Sequence, residues 1–240
     1  MKILLNAIIS FWILFASSLA LADLKSQVSD YDKAYRLRTL HQKLVDYSGR
    51  YLGPKGHDLS ELKNVKMALP GILYWGGANN TGRDNRNPLR AGALLSLCQE
   101  GFTTAIYLYD TGWDKAVKET SCTTRAGKSN TIRYLSKNPL ADQKMILEQI
   151  YNRIKQISAG PLYLHCWNGL HASNQIAAIV LKQFCDYSAD EALSFWHINA
   201  EGTEQTGHFA PFLQEIREFK VDPEFEITSA EKELVCLRHN

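Results

Sequence analysis

Between residues 71 and 220, short runs of β-branched and aromatic residues alternate with helix-length apolar periodicities, and proline or glycine marks almost every change. Gly71-Ile72-Leu73-Tyr74-Trp75-Gly76-Gly77 reads as a short strand stopped by glycines. Asn87-Pro88 pairs a capping residue with proline at the first helical position. The helix it opens runs to Gly101, a fitting residue for the left-handed turn that ends helices. Phe102 to Tyr109 then has the composition of a buried strand, and Thr131 to Leu135 that of a second one. Asn138-Pro139 repeats the cap-proline device before Ile146, Ile150, Ile154 and Ile157, spaced for one face of a helix. Gly160-Pro161 stops that helix, and Leu162 to His165 is a third strand. Helices over Ala172 to Phe184, Ser188 to His197 and Pro211 to Lys220 complete the pattern. Strands joined through helices of this length need crossover connections, so the expected fold is α/β: a mainly parallel central sheet with helices on both faces. In such sheets functional groups gather at the carboxyl ends of the strands.

The two ends read differently. Lys2, an apolar stretch from Ile3 to Phe15, and small residues ending Ala20-Leu21-Ala22 match a secretory signal peptide over residues 1–22. Asn6, Ser10, Ser17 and Ser18 interrupt the stretch, which barely reaches the ~20 residues of a membrane-spanning helix. The expected location is therefore periplasmic or secreted, with no membrane association after cleavage. From Leu24 to about Tyr51 the spacing of Val28, Tyr31, Tyr35, Leu40, Leu44 and Val45 predicts one amphipathic helix, ended by Gly53-Pro54-Lys55-Gly56. A loop is expected from there to Gly71, and another from Ala78 to Asn87. From Asp222 the tail reads as a turn and a short helix.

Composition narrows the function classes. The 240 residues are 45% hydrophobic and 22% charged, with a formal net charge of +2. That excludes a disordered tail protein, a collagen-like repeat and a multi-span membrane protein. A charge so near zero lacks the basic stripe of a nucleic-acid binder, so no nucleic-acid partner is expected. Five cysteines in an exported chain leave at least one thiol unpaired. Cys98 and Cys185 lie on apolar helix faces and read as core residues, whereas Cys122 in a polar loop and Cys236 in the tail would be the bridge if one forms. No Cys or His pair has zinc-site spacing, and neither a metal nor another cofactor is expected.

Cys166 stands apart. Pro161 to Ser173 is a buried strand, a turn containing Gly169 and then a helix N-terminus. Such a turn aims backbone N–H groups and the positive end of a helix dipole at one place, which stabilises a thiolate and makes the cysteine a nucleophile. The alternative is a buried structural cysteine at a strand end.

This segment resembles the cysteine-dependent phosphatases of the dual-specificity and protein-tyrosine-phosphatase superfamily, whose signature is H-C-x-x-G-x-x-R-[S/T]. His165, Cys166, Gly169 and Ser173 match in register, and residues 71 to 106 resemble the strand, helix and strand that precede the signature there. The resemblance implies a dual-specificity-phosphatase-like α/β domain at 69–221, an N-terminal helical extension at 23–68 and a tail at 222–240. It implies Cys166 as the nucleophile that forms a phosphocysteine, Ser173 as its hydroxyl partner and His165 as the residue that orients the loop. The backbone through Trp167, Asn168, Gly169, Leu170, His171 and Ala172 would be the phosphate cradle. The signature arginine is replaced by Ala172, and His171 is one place too early to supply the same fork. Losing a buried charge-assisted partner costs about 2–5 kcal/mol, or roughly 30- to several-thousand-fold in rate if it falls wholly on the transition state.

For the general acid, Asp142 lies 24 residues before the cysteine, although an acid there also suits the first turn of its helix. Asp110, at the end of a strand, is a second candidate. Arg83, Arg86, Arg90, His197, His208 and the loop from Gly202 to His208 could bring other charged groups to the site. Three readings follow. One is a hydrolase of phosphoesters. The second is a pseudophosphatase that binds a phosphorylated or other anionic small molecule or protein. The third is thiol-redox or sulfur-transfer chemistry at Cys166.

Overall fold

The computed structural model describes residues 20–35, 39–80, 87–155, 159–203 and 208–237. Six strands form one sheet: β1 (Leu62–Leu69), β2 (Leu73–Asn79), β3 (Thr104–Tyr107), β4 (Glu119–Thr123), β5 (Ser129–Ser136) and β6 (Leu162–His165), in the order β1-β2-β6-β3-β5-β4. The four inner strands run parallel, and β1 and β4 pair antiparallel at the two edges. The helices are α1 (20–35), α2 (Ala91–Gln99), α3 (Gln143–Lys155), α4 (Ala172–Phe184), α5 (Ala189–Ala200), α6 (Ala210–Glu218) and α7 (Ser229–Val235). The α/β fold with a mainly parallel inner sheet is as the alternation predicts. No helix among the described residues is long and apolar enough to cross a membrane.

Strand alternation divides the core in two. Trp75, Ile106, Leu162 and Leu164 face α3, α4, α5 and α6 in one apolar layer. Tyr74, Ala105, Tyr107, Tyr134 and Tyr163 face α2 in the other. All thirteen residues of α4 are buried, with α5 and α6 packed on it, so this helix is central to the first layer. Its Ile176, Ile179, Val180 and Phe184 each contribute about 1.5–3 kcal/mol by burial.

Several expectations are corrected. The N-terminal helix does not reach Tyr51. After residue 38 the chain turns and runs beside β1, where the Leu44 N–H bonds the Val65 carbonyl at 2.7 Å and Lys43 bridges to Lys66. Leu40, Leu44 and Val45 are buried by that pairing rather than on a helix face. The segment read as a loop before Gly71 contains β1, and β2 continues through Gly76-Gly77 to Asn79 instead of stopping there. The polar excursion around Cys122 is β4, an edge strand whose residues alternate between exposed and half-buried.

The disulfide expectation also fails. The bridges are Cys98–Cys122 and Cys185–Cys236, with Cα separations of 6.2 and 5.6 Å. The strand β4 packs on α2, which brings Cys122 to Cys98, while Cys185 and Cys236 are the C-caps of α4 and α7. Cys166 is the free cysteine. The signal segment 1–22 lies outside the described residues except for its last three, which are helical; Arg83, Arg86 and Ile157 also lie outside them.

Candidate active site

The strand β6 pairs on both sides, with β2 and β3, so its carboxyl end opens at the middle of the sheet. Cys166 leaves that end and Ala172 begins α4, with the turn 166–171 between them. Gly76 and Gly77 of β2 form the wall of this turn. The Cys166 N–H reaches the Gly76 carbonyl at 3.3 Å, and the Ala78 N–H reaches the Trp167 carbonyl at 3.0 Å. The approach is backbone on backbone. A Cβ on Gly77 would lie 2.7 Å from the Asn168 carbonyl carbon, and one on Gly169 would lie 2.5 Å from both Gly76 C and Gly77 N. Gly169 also has φ +70°, a left-handed conformation suited to glycine.

The carbonyls of the turn are held from outside it. His165 Nδ1 meets the Cys166 carbonyl at 3.0 Å, and the Ala78 N–H takes that of Trp167. Asn64 Nδ2 donates to the carbonyls of Asn168 at 3.5 Å and Gly169 at 2.8 Å. Asn174 Nδ2 takes that of Leu170 at 3.1 Å, while the Gln175 N–H and Trp196 Nε1 take that of His171. In a planar trans peptide the next residue's N–H points opposite each carbonyl. The N–H groups from Trp167 to Ala172 therefore face away from these anchors. At one position the direction is seen: the Gly169 N–H donates to Cys166 Sγ at 3.3 Å. His171, the N-cap of α4, makes no side-chain cap bond, so the first amides of the helix add to the same positive end.

Cys166 Sγ lies 3.2 Å from Ser173 Oγ, which in turn donates to the Gly76 carbonyl at 3.0 Å. A hydroxyl has one hydrogen. With it on Gly76, Ser173 accepts from a Cys166 thiol; rotated to the sulfur, it donates to a thiolate. Cys166 itself is 3% exposed.

His165 is fully buried and stacked against Tyr107 at a centroid distance of 4.9 Å, with Tyr134 and Tyr163 also stacked. Burial pushes it down to about 3, so the ring is neutral. Its Nδ1 faces a carbonyl and must carry the hydrogen, which leaves Nε2 to accept from Tyr134 OH at 2.8 Å. The Leu89 N–H donates to that same hydroxyl at 2.8 Å. This chain of three bonds fixes the Cys166 carbonyl.

Trp167 is half-buried, with Nε1 donating to Tyr107 OH at 2.9 Å and its ring 4.6 Å from Tyr109. Leu170 and Ala172 are buried. His171 stacks on Phe209 at 3.7 Å and bonds Thr203 Oγ1 at 2.8 Å. Asp142 accepts the Asn138 N–H at 2.7 Å in the turn that opens α3, and among the described residues no hydrogen bond joins it to the turn 166–171. Asp110 is exposed, and Arg90 is the N-cap of α2. Sequence reasoning missed Asn64, Lys66 and Tyr134. The first two lie on the overlooked β1; Tyr134 was within an expected strand, but its bond to His165 spans 31 positions.

No family model and no curated protein matches the sequence. Among solved structures, the chain is similar to the Yvh1 phosphatase domain from Chaetomium thermophilum, with 19% identity and a TM-score of 0.37, over 61% of this chain and 89% of that one. It is also similar to the PTP-2 phosphatase of Cydia pomonella, with 13% identity and a TM-score of 0.35, over 60% of this chain and 83% of that one.

Proposed function

We propose that this protein is an exported phosphatase-like hydrolase that cleaves phosphoesters through a phosphocysteine at Cys166. The observation that carries the reading is the set of donors holding the carbonyls of residues 166–171 outside the turn, which leaves its amides to an oxyanion. In the first step Cys166 Sγ attacks phosphorus and the phosphorus–oxygen bond breaks. The leaving oxygen takes a proton from a carboxylic acid, for which Asp142 and Asp110 are the candidates. Water then attacks phosphorus, giving a proton back to the carboxylate left by the first step, and the phosphorus–sulfur bond breaks to return the thiolate and inorganic phosphate. Ser173 donates to the sulfur whenever it is anionic. Two disulfides support a periplasmic or secreted location, where an oxidising milieu keeps them formed.

Ala172, buried where the signature has arginine, favours a second reading, an anion-binding pseudophosphatase. Release of nitrophenolate from p-nitrophenyl phosphate, measured beside tungstate binding, separates the two. Turnover by the parent and none by Cys166→Ser is the expected result. Saturable tungstate binding without turnover establishes the pseudophosphatase instead. Turnover that survives Cys166→Ser, or an absence of both signals, removes the reading of the turn as an oxyanion site.

A further inference from the structure

Lys66 is a lysine only 1% exposed, on a strand whose neighbouring residue Asn64 holds the turn 166–171. It stands opposite Trp75 in the β1–β2 register, with Nζ 4.8 Å from the centre of that ring. Trp75 and Cys166 belong to the same apolar layer, so Lys66 reaches into the side of the sheet from which Cys166 and α4 emerge. Trp75 in turn stands opposite Leu164 of β6, two positions before Cys166, so Lys66 lies across the same face of the sheet as the root of the turn. Beside it the Trp75 Nε1–H, also buried, has no acceptor among the described residues.

We propose that Lys66 supplies from β1 the positive charge that the turn lacks at Ala172, acting on the Cys166 sulfur and on an oxyanion held before it. The inference rests on the reading of residues 166–172 as an anion-binding turn, and it names the charge that makes that turn work without arginine.

A buried ammonium is costly unless compensated. The compensation here is incomplete in a useful way. Lys66 Nζ bonds the Asn199 carbonyl at 3.4 Å and Glu201 Oε1 at 3.1 Å, but the same carboxylate oxygen also holds Lys43 at 2.5 Å. One acid thus faces two cations, and the cluster keeps a net positive charge. Burial lowers the Lys66 ammonium to about 8 against the pull of Glu201 and Cys166, which leaves it charged at neutral pH. A lysine is a point charge without the arginine fork, so it supplies field rather than bidentate grip.

Lys66 also caps the carboxyl end of α5, a structural task that the test must separate from its effect on the sulfur. The readout is the ratio of Cys166 alkylation rates by iodoacetate, an anion, and iodoacetamide, its neutral analogue. A local positive charge raises that ratio, and a change in folding alone does not. Lys66→Met should lower it roughly three- to tenfold, while Lys66→Arg keeps it near the parent value. Glu201→Gln, which leaves the lysine in place and removes its neutralising partner, should raise the ratio, and it serves if Lys66→Met does not fold. A ratio unmoved by Lys66→Met or by Glu201→Gln overturns the role of Lys66 while leaving the anion-binding turn intact. Failure of both reagents to label Cys166 in the folded parent overturns the two together.

Discussion

At the scale of single residues, His165 carries a measurable signature of its position. Its ring is neutral in the fold because burial lowers it to about 3, against 6.5 for a free histidine. Between those values the unfolded chain binds a proton at this ring and the folded chain does not. Stability therefore rises with pH across that window and is lost as pH falls through it. The loss amounts to a few kcal/mol by about pH 3, at about 1.4 kcal/mol per pH unit. Urea denaturation of the parent and of His165→Gln between pH 3 and 7 checks this. The parent midpoint should drop more steeply than that of the variant. Parallel curves would mean that the ring charges freely and that its Nε2 does not accept from Tyr134. The residue was legible in the sequence as the neighbour of Cys166, because a signature of fixed spacing needs no knowledge of tertiary structure. Its partner Tyr134 was not, since pairing across 31 positions depends on where β5 stands in the sheet.

At the scale of elements, the turn 166–171 owes its shape to the glycines it presses against. Gly169 and Gly127 both have positive φ, +70° and +77°, but only Gly169 is crowded. A Cβ at Gly127 meets nothing within 4 Å, whereas one at Gly169 would overlap the backbone of Gly76 and Gly77. Gly127→Ala should therefore cost only the left-handed backbone penalty, about 1–2 kcal/mol. Gly169→Ala adds a clash that no side-chain rotation relieves, and should cost about 2 kcal/mol more than Gly127→Ala. Urea denaturation of the two variants measures the difference, and equal losses would show that β2 can withdraw from the turn. The elements that were legible, β3, β6 and α4, have strong apolar runs or periodicity. By contrast, β1 and β4 were hidden. Lys63, Asn64 and Lys66 break the apolar pattern of β1, and β4 is an edge strand of mostly polar residues whose pairing with β5 the sequence pattern does not display. The site suffered in proportion, because Asn64 and Lys66 both belong to β1.

At the scale of the whole molecule, the two disulfides tie peripheral segments to the layers that frame the site. Cys98–Cys122 closes 24 positions and fastens the β4 edge to α2; Cys185–Cys236 closes 51 and fastens the tail, whose Phe225, Ile227 and Val235 are buried in the main core, to the end of α4. From loop length alone these bridges contribute about 3 and 4 kcal/mol by restricting the unfolded chain. Parity predicted at least one free thiol, but the sequence pattern favoured Cys122 with Cys236, because Cys98 and Cys185 lie on apolar faces that resemble core positions. Those faces are what the strand and the tail cover. Labelling the unfolded, non-reduced protein with iodoacetamide should therefore modify Cys166 alone, and proteolysis should then yield linked peptides 98–122 and 185–236. A linked peptide 122–236 would contradict the packing of β4 on α2 and of the tail on α4. Replacing both members of either bridge with serine should lower the unfolding free energy by about 2–5 kcal/mol. The Cys185–Cys236 pair spans the longer loop and should show the larger loss. Because that bridge anchors the far end of α4, a folded double variant should retain Cys166 alkylation: the turn is held at the other end of the helix, by β2, Asn64 and His165.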